Sequence, residues 1–336
     1  MRCALAILFF MMLVARPVIL LAQEPLLYGY QETNGAVTNG YAGDTVDPYF
    51  ATKAMLILLD TDSKAKQPAM AWVVWGLQMQ RSDGLFERYK RDGEDNWHPY
   101  ARADADDAVL ALWLELLYRL TPAEGMQESW KNSAEMAEKQ LSALYDPVQG
   151  IYHISVEMPI GLLMDNVEIY SAYMRIAKEQ HRLGLKAQAT ASRKKAAILA
   201  QNIVKIFKPE GSVGYLVSTQ QPNGELFYPD RVAQLYPLLY KLPDGDNAAS
   251  VYTIWMSANG KEWLLQKDNN YAWGLVAITA LKKDDNYSAS CWQNRAEPMR
   301  YSEHWNVLEE AALQYVKWRL QVRHYDTHIP CVGGNL

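Results

Sequence analysis

Cysteine, histidine and phenylalanine are scarce: 3, 6 and 6 residues in a chain of 336. No CxxC pair and no His/Cys cluster occurs, so no structural metal is expected, and no cofactor motif is present. Positive charge is also short. Thirty-three Lys and Arg face 38 Asp and Glu, a net charge of −5. The longest basic run, Arg193-Lys194-Lys195, reads as the solvated face of a helix, so nucleic acid is not an expected partner. Beyond the first 22 residues no segment is long and apolar enough to span a bilayer.

The N-terminus is different. Arg2 precedes the apolar run Ala4–Val14, and Ala22 stands before polar Gln23-Glu24-Pro25. That is the layout of a secretory signal cleaved after Ala22; an uncleaved anchor is the alternative, because Val18–Leu21 extends the apolar stretch. The expected product is a periplasmic or secreted protein comprising one domain over 23–336. Two cysteines remain in it, Cys291 and Cys331. Export permits a disulfide between them, and two buried free thiols are the other reading.

What is abundant is the polar aromatic side chain: 21 Tyr and 11 Trp. A sugar ring presents a C–H face for stacking and hydroxyls at its edge, and Tyr and Trp serve both. Ordinary core packing accounts for the same composition equally well.

Periodicity predicts helix after helix and little strand. The expected helices are Phe50–Leu59, Ala69–Gln80, Ala105–Leu120, Gln127–Leu144, Val167–Leu183, Ala187–Phe207, Arg231–Tyr240, Ala248–Ala258, Ala272–Lys282 and Trp305–Arg323, with Asp284–Tyr301 as an irregular loop. They alternate in character. Ala105–Leu120 is apolar almost all round, as a helix between two layers is. Gln127–Leu144 carries one stripe, Ala134, Ala137, Leu141 and Leu144. Ala187–Phe207 sets Ile198, Leu199, Ile203 and Ile206 against its cations. Inner helix followed by outer helix is the alternation of a double-layered α/α barrel. The fold class is therefore all-α, an (α/α)6 toroid of six helical hairpins with short β-like loops.

Two repeats run at a period of roughly sixty residues, the length of one hairpin with its loops. Gly84, Gly150, Gly211 and Gly260 each follow an outer helix and are expected to supply positive φ in a turn. Acids recur at the starts of inner helices: Asp47, Asp104 with Asp106 and Asp107, Asp165 with Glu168, and Asp230, then Asn269-Asn270. Inner helices of such a barrel run parallel, so these acids converge on one end. Each also fits a cap: Asp104 with Asp107, and Asp165 with Glu168 as a capping box. Asp106 is surplus to capping.

The segment Ala103-Asp104-Ala105-Asp106, followed by Leu112-Trp-Leu-Glu-Leu-Leu117 and preceded by Asp83-Gly84 and Trp97, resembles the six-hairpin glycosidase superfamily. Within it the segment is most like the glycoside hydrolase family 8 cellulases, over about residues 80–120. The resemblance implies paired-carboxylate hydrolysis of a polysaccharide, in the setting of bacterial polysaccharide synthesis. That family carries its general acid as a Glu on the first inner helix within Ser-Glu-Gly; this chain has Asp44-Thr-Val-Asp47-Pro there.

Inverting hydrolysis needs one protonated and one ionised carboxyl. Asp106 or Asp104 is the expected base, with Asp44, Asp47, Asp165 and Glu168 competing for the acid. Trp97, Tyr100, Tyr170, Tyr228 and Trp273 are stacking candidates. Arg102, Asp230 and Arg231 are candidates for holding an aspartate or sugar hydroxyls, and His98 lies in the loop beside Trp97. The leading expectation is an exported glycoside hydrolase acting on a bacterial exopolysaccharide. Its partners are a poly- or oligosaccharide and the synthesis and export machinery. A uronate lyase or epimerase and a non-catalytic glycan-binding or assembly component are the alternatives.

Overall fold

A computed structural model describes residues 26–331 apart from 62, 94–95, 213, 221, 223, 244–247, 266–270 and 329. The proposed signal segment and Asn269-Asn270 lie outside the described residues.

The first hairpin pairs α1 (Pro48–Leu58) with α2 (Lys66–Met79). Asp47 caps α1, its carboxylate accepting from the Tyr49 amide, and Pro48 opens the helix with a φ already suited to it. Then follow α3 (Asp106–Leu120) with α4 (Glu128–Ala143), and α5 (Leu163–Arg182) with α6 (Lys186–Phe207). Next come short α7 (Tyr236–Leu239) with α8 (Ala248–Leu265), α9 (Gly274–Lys282) with α10 (Asn286–Ala296), and α11 (Val307–Val322).

The odd-numbered helices form a closed inner ring: α1 packs on α3, α3 on α5, α5 on α7, α7 on α9, α9 on α11, and α11 back on α1. Burial follows the expected layering. α3 is buried on nearly every face, whereas α4 buries one stripe, Trp130, Ser133, Ala134, Ala137 and Leu141. Five outer helices are seen among the described residues. The architecture is the all-α toroid of double layers.

Several local expectations need correction. The stretch Asp284–Tyr301 holds helix α10, capped by Asp285 accepting from the Ser288 amide. Its polar sequence hides the buried face Ala289, Cys291, Trp292 and Ala296. Gly84, Gly150 and Gly211 have φ of 96°, 73° and 74°, but Gly260 lies inside α8. That helix runs past it because Trp263 and Leu264 continue its buried stripe. Ile198 of α6 is exposed; the helix instead turns Ala196, Leu199 and Ile203 inward. Arg231–Tyr240 is helical as expected but in two short pieces, residues 231–233 and α7, separated by a turn at Gln234-Leu235.

The one substantial sheet among the described residues orders β1 (Thr45–Val46), β2 (Glu87–Arg91) and β3 (Trp97–Arg102), all antiparallel. Arg88 pairs with Ala101 and Tyr89 with Pro99, which leaves Tyr100 as an extra residue bulged out of β3. A smaller hairpin joins β4 (Tyr145–Asp146) to β5 (Ile151–Tyr152). Cys291 and Cys331 form a disulfide, Cα atoms 5.4 Å apart, tying the chain after α11 to α10. Among the described residues no helix is long and apolar enough to cross a membrane.

Candidate active site at the N-terminal mouth of the inner ring

Each inner helix begins at the same end of the ring, and the loops before them bring acids together there. Asp47 ends the β1 segment and opens α1. Its second oxygen accepts from Arg88 Nε at 2.8 Å. The other arm of the same guanidinium meets Asp104 at 2.7 Å. Arg88 on β2 therefore ties the start of α1 to the approach to α3. Asp47 is buried and Asp104 is open, its side chain 63% exposed. Burial raises the Asp47 carboxyl despite Arg88 and the Tyr49 amide, both of which pull it down.

Asp104 and Asp106 diverge. Asp104 acts electrostatically on Asp47 and Asp165, so it faces the ring. Asp106 lies in the field of Glu157, Arg102, Glu87 and Arg81, and its amide bonds to the carbonyl of Ile154. It sits on the flank between the hairpin and the loop before α5. Burial, then Glu157, pushes its carboxyl up to about 6. Arg102 itself ion-pairs with Glu157 at 3.0 Å on the surface.

Asp165 is the central acid. It occupies the first turn of α5, 6% exposed, with one oxygen lacking any partner. Burial raises it first, the charges of Glu168 and Asp104 raise it further, and Lys53 opposes weakly; the result is about 8. Burial and the neighbouring charges therefore favour its protonated form. Asp107, fully buried on α3, feels Asp165 strongly and is itself pushed well up, burial being the main cause. Its Oδ2 also lacks a partner. Two such acids at one site titrate as a pair.

Beneath Asp165 lies a closed network. Glu168, 0% exposed, ion-pairs with Lys53 and accepts from Tyr49 and Tyr240, each at 3.0 Å. Lys53 in turn donates to Tyr49 at 2.7 Å and to Tyr236 at 3.0 Å. Three donors satisfy Glu168, so burial of its charge is compensated.

Aromatic residues wall the mouth. Tyr228, joined to Pro229 by a cis peptide, stacks on Trp273 with centroids 4.8 Å apart and planes 19° apart. Half of Tyr228 is exposed, while its hydroxyl turns inward within the field of Asp165, Lys53 and Asp104. Trp273 adopts a left-handed conformation, φ 57°. Glu309 of α11 holds it there, accepting from the amides of Trp273 at 3.0 Å and Gly274 at 2.7 Å and so capping α9 from a neighbouring helix.

The remaining candidates lie elsewhere. Asp44 pairs with Lys90 at 3.6 Å on the exposed sheet edge, and His98 with Asp92 at 2.8 Å. Trp97 packs edge-on against Trp75, and Tyr100 projects into solvent from the bulge. Tyr170 bonds toward Lys241 and lines a cavity at the opposite end of the ring. Asp230 accepts from the amides of Gly224 and Leu226, and Arg231 pairs with Glu262. Both border a lateral cavity of about 370 Å³ beside α8. Sequence reasoning passed over Arg88 and Lys53, and it placed Asp107 in the acid cluster without giving it a role beyond capping. Lys53 left a usable signal, the one cation in an apolar helix, which must find a partner. Asp107 reads as an ordinary first-turn acid, and Arg88 sits in a hairpin with weak strand pattern.

No family model matches the sequence, and no curated protein matches it. Solved structures do. An α-amylase from Clostridium perfringens is 11% identical with a TM-score of 0.61, over 90% of this chain and 95% of that one. A D-mannose isomerase is 12% identical with a TM-score of 0.56, over 88% and 95%. The GH63 mannosylglycerate hydrolase from Thermus thermophilus is 9% identical with a TM-score of 0.55, over 87% and 98%. The chain thus has the (α/α)6 fold of these proteins, and the likeness does not single out the family 8 cellulases.

Proposed function

We propose that this chain is an exported glycoside hydrolase that cleaves a bacterial exopolysaccharide at the N-terminal mouth of the ring. The observation that carries the reading is the placement of Asp165, a buried carboxyl with one unpartnered oxygen whose titration burial pushes up, in the field of Asp104, which Arg88 holds at 2.7 Å. Acid/base hydrolysis requires one carboxyl that keeps its proton and one that takes a proton, and these two acids suit those roles. The proton of Asp165 passes to the glycosidic oxygen as the C–O bond breaks. Asp104 takes a proton from the water that attacks the anomeric carbon. Arg88 fixes Asp104 against Asp47, and the Tyr228–Trp273 stack supplies the face for a sugar ring. Asp104 fits the base better than Asp106 because Asp106 is turned to the flank. The named solved structures include glycosidases of the same fold, which agrees with a carbohydrate substrate. Export rests on the N-terminal segment.

The test is reducing-end release from a panel of neutral and acidic exopolysaccharides. Turnover by the wild type that falls by about 10²–10⁴ in Asp165→Asn supports the assignment. Full turnover by that variant removes it.

A second reading, a glycan-binding component without cleavage, is favoured by the burial of Asp165 and Asp107, 6% and 0% exposed. Saturable oligosaccharide binding with no product on any substrate of the panel identifies it.

A further inference from the structure

The opposite end of the ring holds a cavity of about 690 Å³, to which all six inner helices contribute. Its volume falls in the range of small-molecule sites. The walls are apolar and aromatic, with Leu112, Leu275, Tyr170, Tyr240, Tyr315 and Trp318 among them. Its rim is basic: Arg119, Arg175, Lys241, Lys282, Arg319 and Arg323. Against these six cations the lining offers two carboxyls, Asp60 and Glu115.

Part of this charge has internal work. Arg119 donates to the carbonyl of Leu56 at 3.1 Å, and Lys282 to that of Leu239 at 2.8 Å, so both serve helix C-termini. Asp60 is shared by Arg119 at 2.7 Å and Arg175 at 3.4 Å. Arg323 meets Asp284 at 2.9 Å. Glu115, pushed up to about 7 by burial, is a weak counter-charge. Lys241 and Arg319 have no carboxylate within ion-pair distance among the described residues. Lys241 is exposed and Arg319 lies over the ring of Trp318 at 5.9 Å. Helix dipoles explain cations at helix ends; they do not explain cations converging on a cavity walled by aromatic rings.

We propose that this cavity is a second ligand site, for a sugar bearing an oxyanion, either a carboxylate or a phosphate. The rings of Tyr170, Tyr240, Tyr315 and Trp318 take the sugar face, and Lys241, Arg319 and Arg175 take the charge. Lys53 lines this cavity and its amine pairs with Glu168, so it links the two ends of the ring.

Calorimetric titration of the full chain carrying Asp165→Asn, which keeps cleavage at the other end out of the readout, tests the site. The probes are glucuronate, glucose 6-phosphate and glucose, at about 150 mM salt, where exposed charges are already screened. The expected result is that a charged sugar binds at least about tenfold more tightly than glucose, as charged hydrogen bonds dictate. Whichever of the two charged sugars binds more tightly identifies the group. Lys241→Ala with Arg319→Ala abolishes that preference, while Arg193→Ala, a surface cation of α6, leaves it intact. Equal affinity for all three sugars, or a preference that survives loss of Lys241 and Arg319, overturns the proposal. Because the readout is binding, its failure is distinct from any failure of hydrolysis at the mouth.

Discussion

Lys53 forms its ion pair with Glu168 and leaves Asp165, one turn earlier on the same helix, without a cation. The two acids are thereby given opposite tasks: one is a satisfied structural anion, the other a protonated group with a free oxygen. At pH 7 Asp165→Asn replaces a neutral acid with its neutral isostere. We expect its melting temperature to match or exceed that of the wild type, whereas Glu168→Gln, which leaves Lys53 buried and unpaired, melts well below it. Differential scanning calorimetry compares them; equal losses in both variants would mean that the acids are not differentiated.

The Lys53–Glu168 pair is nearly devoid of solvent contact, 2% and 0% exposed. Breaking a buried pair from one side costs about 3–5 kcal/mol, while replacing both partners by apolar groups costs far less. Urea unfolding of Lys53→Met is expected to show a loss of that size, and Lys53→Met with Glu168→Leu to recover most of it. A double variant as unstable as the sum of its singles contradicts this.

Stability should fall as pH rises. Burial raises Asp165 to about 8, and Glu115 and Glu309 to about 7. In each case the folded chain keeps a proton that the unfolded chain loses above about pH 4. The stabilisation is complete below that pH and is lost as pH climbs through the folded-state values. Melting temperatures measured from about pH 5 to about pH 8.5 are expected to decline, with a shallower decline in Asp165→Asn. A flat or rising curve goes against the raised values.

Trp273 presents its ring to Tyr228 from a left-handed backbone position that Glu309 maintains. If the stack is a sugar platform, Trp273→Ala raises KM for an oligosaccharide about tenfold with a smaller change in kcat, consistent with the roughly 0.5–1.5 kcal/mol typical of an aromatic contact. Steady-state kinetics separate the two constants; an unchanged KM assigns the stack to rim packing.

The layering was legible because burial writes itself into helix periodicity. An inner helix such as α3 is apolar all round, and an outer one such as α4 is apolar on a stripe. α10 was not legible, since its buried face mixes Ala, Cys and Trp with serines of low helix propensity. The acid register located Asp104 and Asp165 at one mouth, but register says nothing of direction. Asp104 in the extended approach and Asp106 in the first turn point to different neighbours, and only the fold separates them. Arg88 reaches the site from a bulged hairpin, a tertiary accident with no trace in periodicity.

The most direct test is the protonation state of Asp165 itself, read as the carboxyl carbon-13 shift present in the wild type and missing in Asp165→Asn, followed from about pH 4 to about pH 9. A carboxyl still protonated at pH 7 and titrating near 8 is the predicted result. A carboxylate already ionised at about pH 5, close to the ordinary range, would contradict the account, because Asp165 would then have no proton to give to the glycosidic oxygen.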